Sequence, residues 1–419
     1  SSEVKCPATR TWSNNDQSIP QAASSNNGIT DRAMHVGVLT LRDLEIAGGG
    51  SIRIIGATRH LSELGCRVTL FAPRLTPRLA NTVRFISIGD APIRRLLLMY
   101  SAFPDLLGSL RHLPANRRLA DLIDHQELDL LHCHAHPSGI LMLLLRPDLS
   151  IPLALDIHGI KALREGSRGL TGRVRQGLAV RGERNLFRRI DALIVRTEPE
   201  RQYVAKSFGI ASSTIYVVPN GADVTFLSHP VDEADRKALR AQLELGEKKI
   251  VLWAGGLKGR SGVMDLAKAF QVLSSRRPDV ALVMITDSGP LTPTLEAFVR
   301  AHQLSDMILL DRQSRETFRV YQQIADVVVT SEIGNAYNEL AVPLKLLDCL
   351  ASGRPTVATR TVSHAQVVTD GVNGFLVKPE DPADMARGIE QALNSPDAAE
   401  IGRRGRQTVI KNYSWRRSA

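Results

Sequence analysis

The residues best suited to chemistry stand at the ends of apolar runs. Asp129-Leu130-Leu131-His132-Cys133-His134-Ala135-His136-Pro137 closes one run with histidines at alternate positions. If the chain stays extended, all three share one side of a strand. An imidazole there can bind a substrate hydroxyl, move a proton or ligate a metal. No nearby carboxylate or cysteine completes a good ligand set, so no metal is expected. His134 is the candidate for hydroxyl binding or acid–base work, and His132 reads better as a satisfied core histidine.

Gly48, Gly49 and Gly50 precede a helical pattern, where backbone can approach a phosphate at a helix start. A plain flexible turn is the other reading. The stretch does not fit G-x-G-x-x-G, because Arg53 takes the place of the last glycine, so a dinucleotide cofactor is disfavoured. Gly255-Gly256-Leu257-Lys258-Gly259-Arg260-Ser261-Gly262 sets two cations among glycines. That suits a diphosphate, and equally a solvated basic turn. Asp348 projects from a short helix over 343–352, either to accept hydrogen bonds from a ribose diol or to pair with Lys345 one turn earlier.

These residues need a scaffold that brings strand ends together. Short apolar strands are expected at 35–39, 66–71, 128–132, 152–157, 192–195 and 215–218, separated by helical patterns. In the first helix, Ile54, Ala57, Leu61 and Leu64 form the expected buried face. The pattern lapses into polar residues over 223–248. It restarts with strands at 249–254, 280–285, 307–310, 326–330 and 356–358, with a helix over 263–273 among them. Strands alternating with helices predict an α/β chain of two doubly wound, Rossmann-like domains with ligands at the carboxyl ends of the strands.

Composition narrows the function classes. A 419-residue chain with 43% apolar residues is long enough for two domains and is not a mainly disordered one. No apolar run approaches the ~18 residues of a spanning helix. Cys6, Cys66, Cys133 and Cys349 form no C-x-x-C pair, which fits a reducing, cytoplasmic compartment. A net charge of +10 favours an anionic partner. Residues 1–33, rich in Ser and Asn, read as a disordered tail.

Three stretches in order carry a resemblance: Pro219-Asn220-Gly221-Ala222-Asp223; Pro343-Leu344-Lys345-Leu346-Leu347-Asp348 running into Ala351-Ser352-Gly353-Arg354-Pro355; and Thr369-Asp370-Gly371-Val372-Asn373-Gly374. Together they resemble glycosyltransferase family 4, the retaining GT-B enzymes of group 1 type, from about Met34 to the chain's end. The resemblance implies a GT-B fold, with an acceptor-side domain at 34–224, a nucleotide-sugar domain at 225–403, and residues 404–419 as the start of a closing helix. It implies that Gly48, Gly49 and Gly50 pack against the donor diphosphate, that His134 lies by the reacting sugar, and that Asp348 holds the nucleotide ribose. The backbone of Leu340, Ala341 and Leu344 would cradle the diphosphate and sugar. No cofactor or metal is implied beyond the nucleotide-sugar donor, whose base is unknown.

The departures fall at charged positions. Leu340 stands where the family carries a glutamate, with Glu339 one residue away, and Asp348 replaces the usual Glu. The family's phosphate-binding Arg and Lys positions are Gly256 and Ser261, so Lys258 and Arg260 become the candidate cations for the departing diphosphate. Residues 161–189 hold nine Lys or Arg against two Glu, and Arg94-Arg95-Leu96-Leu97-Leu98-Met99-Tyr100 mixes cations with apolar side chains. An anionic membrane surface or a lipid-diphosphate acceptor suits both, as does an ordinary solvated face. Nucleic acid is not expected, since no aromatics interleave with the arginines. The expected protein is a metal-independent hexosyltransferase-like enzyme acting on a glycan or lipid-linked acceptor in cell-surface polysaccharide or glycolipid synthesis, peripheral on the inner face of the membrane. The runner-up is a non-catalytic nucleotide- or sugar-binding relative.

Overall fold

A computed structural model describes residues 32–45, 48–89, 114–145, 150–164 and 169–419. The Arg94–Tyr100 stretch and residues 1–31, for which a membrane contact and a disordered tail were expected, lie outside the described residues.

The first sheet holds seven parallel strands: His35–Leu39 (β1), Arg67–Ala72 (β2), Arg84–Ser87 (β3), Leu130–His134 (β4), Leu153–Asp156 (β5), Ala192–Val195 (β6) and Ile215–Val217 (β7). Their spatial order is β3-β2-β1-β4-β5-β6-β7. The second sheet comprises Lys249–Gly256 (β8), Val280–Asp287 (β9), Met307–Asp311 (β10), Val327–Thr330 (β11), Thr356–Thr359 (β12) and Phe375–Val377 (β13). It repeats the order, β10-β9-β8-β11-β12-β13, again all parallel. The apolar runs of both sheets are covered on each face, which is why they read as continuous Val, Ile and Leu rather than alternating. In each sheet the order reverses beside the first strand of the set, and loops there open a crevice at the strands' carboxyl ends.

The strands occur where expected, with two additions and one shift. β3 and β13 lie at sheet edges and are only four and three residues long, too short to carry a period. β4 runs to His134 rather than stopping at His132, because its register with β1 and β5 pairs residues up to that point. The first helix, Gly49–Glu63, buries Ile54 fully, packs Leu61 against the same core and half-buries Ala57, but the last residue of the expected face departs from it. Leu64 is 51% exposed. It is the C-cap, beyond the last helical turn, and Gly65 at φ 94° then turns the chain away.

The two sheets are joined at Pro219-Asn220-Gly221 and again by the chain's end. The helix Ala398–Asn412 runs unbroken through position 403, and the short helix Trp415–Ser418 then crosses to the first domain. There Ala222 N–H donates to Tyr413 O (2.8 Å). The Trp415 ring, 3% exposed, fills a notch that two glycines leave open. A Cβ on Gly56 would lie 2.4 Å from Trp415 Cδ2, and one on Gly221 would lie 2.6 Å from the Trp415 nitrogen. Gly56 sits mid-helix, where alanine is intrinsically favoured by ~0.5–1 kcal/mol, so its place there reflects this contact. Gly56→Ala should therefore lower stability by roughly 1–3 kcal/mol through overpacking. In a Trp415→Ala background the same change should become neutral or stabilising. Chemical denaturation of the four proteins checks it, and equal costs in both backgrounds would show that Gly56 and Trp415 are not coupled.

Candidate active site

The first-domain wall of the cleft is built where β4 and β5 end side by side. Pairing of His134 with Asp156 in register sets an imidazole beside a carboxylate 22 residues away in sequence. His134 Nδ1 lies 3.0 Å from His158 Nε2 and 3.8 Å from Asp156 Oδ2, and the His132 ring is 4.2 Å from the His134 ring. The backbone bends sharply where the two strands end: Ala135 at φ 65° and His158 at φ 49° are both in the left-handed region, a cost that clusters at functional sites.

Burial decides the protonation of the cluster. It pushes the His132 imidazole down to about 4, His158 to about 3, and His134 well below the ordinary histidine range. Burial alone would raise Asp156, but the Arg53 guanidinium overrides it and holds the carboxyl below the usual carboxylate range. At neutral pH the wall is thus neutral imidazoles beside one compensated ion pair. Buried His134 Nε2 has no hydrogen-bond partner among the described residues. It can donate to or accept from a hydroxyl, and it is not an imidazolium acid.

Arg53 is the tie beneath this wall. Its Nε donates to Asp156 Oδ2 (2.6 Å), Nη1 to Pro219 O (3.1 Å) and Asn220 Oδ1 (3.0 Å), and Nη2 to Val218 O (2.9 Å). The position that broke the dinucleotide fingerprint is therefore a buried structural cation. Asp156 corrects the expectation that no carboxylate approaches the histidines: it forms with His132 and His134 a buried group whose ligand atoms lie within 4.8 Å. Arg53 already holds that carboxylate, supplying the positive charge a metal would bring. His136 is also corrected. The strand ends before it, and its Nε2 sits 2.8 Å from Glu183 Oε1, while Glu183 Oε2 accepts from the Ala162 amide at 3.0 Å.

In the second domain, the glycine-rich loop after β8 places its cations apart. The Lys258 stem folds back over Gly256, its Cε 3.4 Å from where a Cβ at 256 would stand. Lys258 also helps hold Asp287, after Arg312, below the ordinary carboxylate range. The Arg260 guanidinium lies 5.0 Å from the centre of the Tyr337 ring. Ser261 turns inward: its Oγ donates to Lys258 O (2.6 Å) and its carbonyl accepts from Ser331 Oγ (2.9 Å). Buried Glu332 pairs with Lys345 Nζ at 2.9 Å and stands 3.6 Å from His364 Nε2.

That pairing bears on Asp348. Lys345 turns toward Glu332, which removes the reading of Asp348 as a simple intrahelical ion pair. Asp348 is half-buried, and no hydrogen bond among the described residues reaches its carboxylate. Burial pushes it up to about 7, against the pull of Arg315 and with the repulsion of Asp223. Leu344 lies one turn earlier on the same helix face, and its Cδ1 is 3.4 Å from where a Cβ on Gly49 would stand. The start of the helix Leu344–Ala351 thus meets the start of the helix Gly49–Glu63. Neither first turn carries an acidic residue, so both positive dipole ends face the seam uncompensated.

The remaining candidates bind the domains together. Leu340 packs against the first-domain core, and its carbonyl accepts from Thr197 Oγ1. Asn220 Nδ2 donates to Val342 O (2.8 Å), and Ala341 between them is buried. Glu339 Oε2 accepts from the Val362 amide, capping the next short helix. Tyr337 lies between cations of both domains, 5.9 Å from Arg196 and 5.0 Å from Arg260. Asp156, His158, Arg53 and Tyr337 have no motif of their own. Only Asp156-Ile157-His158-Gly159, a polar end to an apolar run, hints at the second histidine.

Residues 47–226 match the family described as Glycosyltransferase Family 4, and residues 248–395 match Glycosyl transferases group 1. The D-inositol 3-phosphate glycosyltransferase of Corynebacterium glutamicum is 26% identical over 407 residues, covering 92% of this chain and 93% of its own. The alpha-D-kanosaminyltransferase of Streptomyces kanamyceticus is 27% identical over 274 residues, 64% of this chain and 69% of its own. Among solved structures, Anabaena HepE in complex with UDP-glucose superposes with a TM-score of 0.69 at 17% identity, covering 91% of this chain and 96% of that one. That likeness is one of fold, the GT-B arrangement of two parallel-sheet domains. With one match on each sheet and the paired helix starts between them, the chain belongs to glycosyltransferase family 4 and is a glycosyltransferase.

Proposed function

We propose that this enzyme moves a sugar from a nucleoside-diphosphate donor to an acceptor hydroxyl with retention of the anomeric configuration. The observation that carries the reading is the meeting of two helix starts at Gly49 and Leu344, with Asp348 one turn further along the same face. A diphosphate at the seam would receive free amides and two positive dipole ends, and its ribose would reach the carboxylate. In the transfer, the bond from the anomeric carbon to the phosphate oxygen breaks and the electron pair stays on that oxygen. The acceptor oxygen bonds to the same face of the carbon, and its proton passes to the departing phosphate oxygen. His134, neutral and without a partner among the described residues at its buried Nε2, is the imidazole this reading assigns to a hydroxyl. Lys258, lying over Gly256, and Arg260, resting on Tyr337, supply charge as the diphosphate leaves, so the reading calls on no cofactor.

The HepE neighbour's complex makes a uridine diphosphate sugar the first donor to test. For the acceptor, a glycan or lipid-linked saccharide at the inner face of an anionic membrane is the preferred class. The helix Gly169–Phe187 supports it: Leu170, Val174 and Leu178, at i, i+4 and i+8, are 80%, 54% and 41% exposed, and Arg173, Arg175 and Arg181 flank them, also exposed. An apolar stripe bordered by arginines suits an anionic interface. No helix among the described residues is long and apolar enough to cross a membrane. The name of the corynebacterial relative, which matches nearly end to end, makes a phosphorylated polyol the second acceptor class.

Three outcomes are expected. Asp348→Asn should weaken nucleoside-diphosphate binding about tenfold near pH 8, where the wild-type carboxylate is ionised, and less near pH 5.5. Because burial raises this carboxyl from 3.8 to about 7, the folded state holds its proton more tightly than the unfolded chain. The stability this confers is lost as pH rises from about 4 through 7. The melting-temperature advantage of Asp348→Asn should grow across that window, and a pH-independent difference would remove the carboxylate from the site. Changing Lys258 and Arg260 together to Ala should lower kcat more than it raises KM for the donor, with binding of free uridine unchanged in calorimetry. Finally, the protein should co-sediment with vesicles containing phosphatidylserine at low salt and release as salt rises. Replacing Leu170, Val174 and Leu178 with Ser should abolish co-sedimentation, and a wild type that stays in the supernatant would favour the small phosphorylated acceptor.

A further inference from the structure

A cavity lies at the opposite end of the first sheet from the cleft. His35, Arg67 and Arg84 are the first residues of β1, β2 and β3, and Glu127 stands in the turn before β4. The sheet is parallel, so these residues gather at the strands' amino ends, a strand length of roughly 15–20 Å from the carboxyl ends that build the histidine wall. Together with Thr69 and Asn81 they line a space of about 620 Å³. That is the size of a small-molecule site, with far more room than a bare ion needs.

The sheet register puts the polar groups on one face. His35 is opposite Arg67, and Arg84 is opposite Thr69, two residues further along β2. Neighbours in register and residues two apart share a face, so all four side chains project to the same side. The buried His35 imidazole links them. Its Nδ1 lies 2.7 Å from Arg67 Nη2 and its Nε2 lies 2.8 Å from Thr69 Oγ1. A guanidinium nitrogen can only donate, so Nδ1 accepts, and the ring's proton sits on Nε2 and is given to the threonine. Burial, and then the Arg67 charge, hold the imidazole below the ordinary histidine range, which keeps it neutral at pH 7.

Arg67 is therefore aimed by an acceptor that carries no charge. A carboxylate in that place would have cancelled the cation, whereas the histidine orients the fork and leaves its charge intact. Arg84 is exposed on the edge strand, and no ion pair among the described residues engages it. Against these two cations the described lining sets one carboxylate, Glu127. Asp129 lies close by, where it accepts from the His35 amide at 2.6 Å. The cavity thus keeps a positive balance.

We propose that this cavity is a second ligand site, for a phosphorylated small molecule of about the size of a sugar phosphate. Arg67 and Arg84 take the phosphoryl oxygens, and the exposed amide of Asn81 is left for a hydroxyl of the remainder. The site lies apart from the reaction centre, and the inference does not depend on how the transfer there proceeds.

Calorimetry on the full chain tests it, with glucose 6-phosphate as the probe and glucose as its uncharged control. The wild type should bind the sugar phosphate and not glucose. Changing Arg67 and Arg84 together to Gln should weaken that binding roughly tenfold or more, with little shift in melting temperature. Both cations are a strand length from the cleft, so any binding there is common to the two proteins and drops out of the comparison. Glu127→Gln, which removes the opposing charge, should tighten binding roughly twofold or more, a gain that a damaged fold cannot produce. If the double variant melts early, Glu127→Gln alone decides: tighter binding upholds the site and unchanged binding overturns it. A wild type that ignores millimolar sugar phosphate, binds glucose equally well, or binds the probe no better than a stably folded double variant also overturns it.

Discussion

The arrangement depends on one buried arginine. Arg53 starts from the helix that follows the triple glycine, takes Asp156 at the end of β5, and caps the carbonyls and the asparagine of the loop joining the domains. Asn220 continues the line by donating to Val342 O in the second domain. One hydrogen-bonded chain therefore runs from the histidine wall, through the helix Gly49–Glu63, to the segment before Asp348. Losing one partner of such a pair typically costs ~3–5 kcal/mol, because the other charge stays buried and uncompensated. Here the guanidinium joins the carboxylate at the end of β5 to three oxygens of the joining loop, so the same interaction that offsets its desolvation also sets the geometry of the cleft.

The charge pattern around that line follows from burial. Carboxylate and guanidinium cancel beneath the wall, and the three histidines are kept neutral by the low polarity around them. A neutral wall suits an acceptor hydroxyl, which needs orientation more than charge. Positive character is instead concentrated at the seam, in two helix starts without acidic first turns and in the side chains that lie along it. Asp348 is the exception, a half-buried carboxylate with no hydrogen bond among the described residues, its pKa pushed up by burial. A fold optimised for stability alone would not keep it, which is the usual mark of a residue retained for a ligand.

The contact between domains is as specific as the contacts within them. Leu340 enters the first-domain core, Thr197 holds its carbonyl, Tyr337 lies between Arg196 and Arg260, and Trp415 closes the far side against Gly56 and Gly221. An apolar side chain at 340 cannot offer a donor sugar the hydrogen bonds of a carboxylate, and it gains instead the free energy of burial. The segment over 336–342 is thereby pinned at both ends of the cleft. The two domains share the backbone that the donor would touch.

By itself the sequence determined the two wound halves, most strand positions, and the polar residues that end them, because these follow from local periodicity and from the short reach of helix caps and turns. His134, Gly49 and Asp348 were legible as candidates for that reason, and Leu344 only through the family resemblance. Only the tertiary structure decided their partners. Asp156 reaches His134 through strand register, Lys345 chooses Glu332 over the nearer Asp348, and His136 leaves its alternating set because the strand ends two residues before it. Leu64 falls outside the buried face because the helix stops before it. Arg53 is unreadable as the tie of the cleft in the chain, since an arginine has no local signal and its role is fixed by oxygens brought to it from elsewhere. Pairings across a hundred or more residues depend on how parallel strands align and on which side chains desolvation forces together, and neither is a property of any stretch read alone.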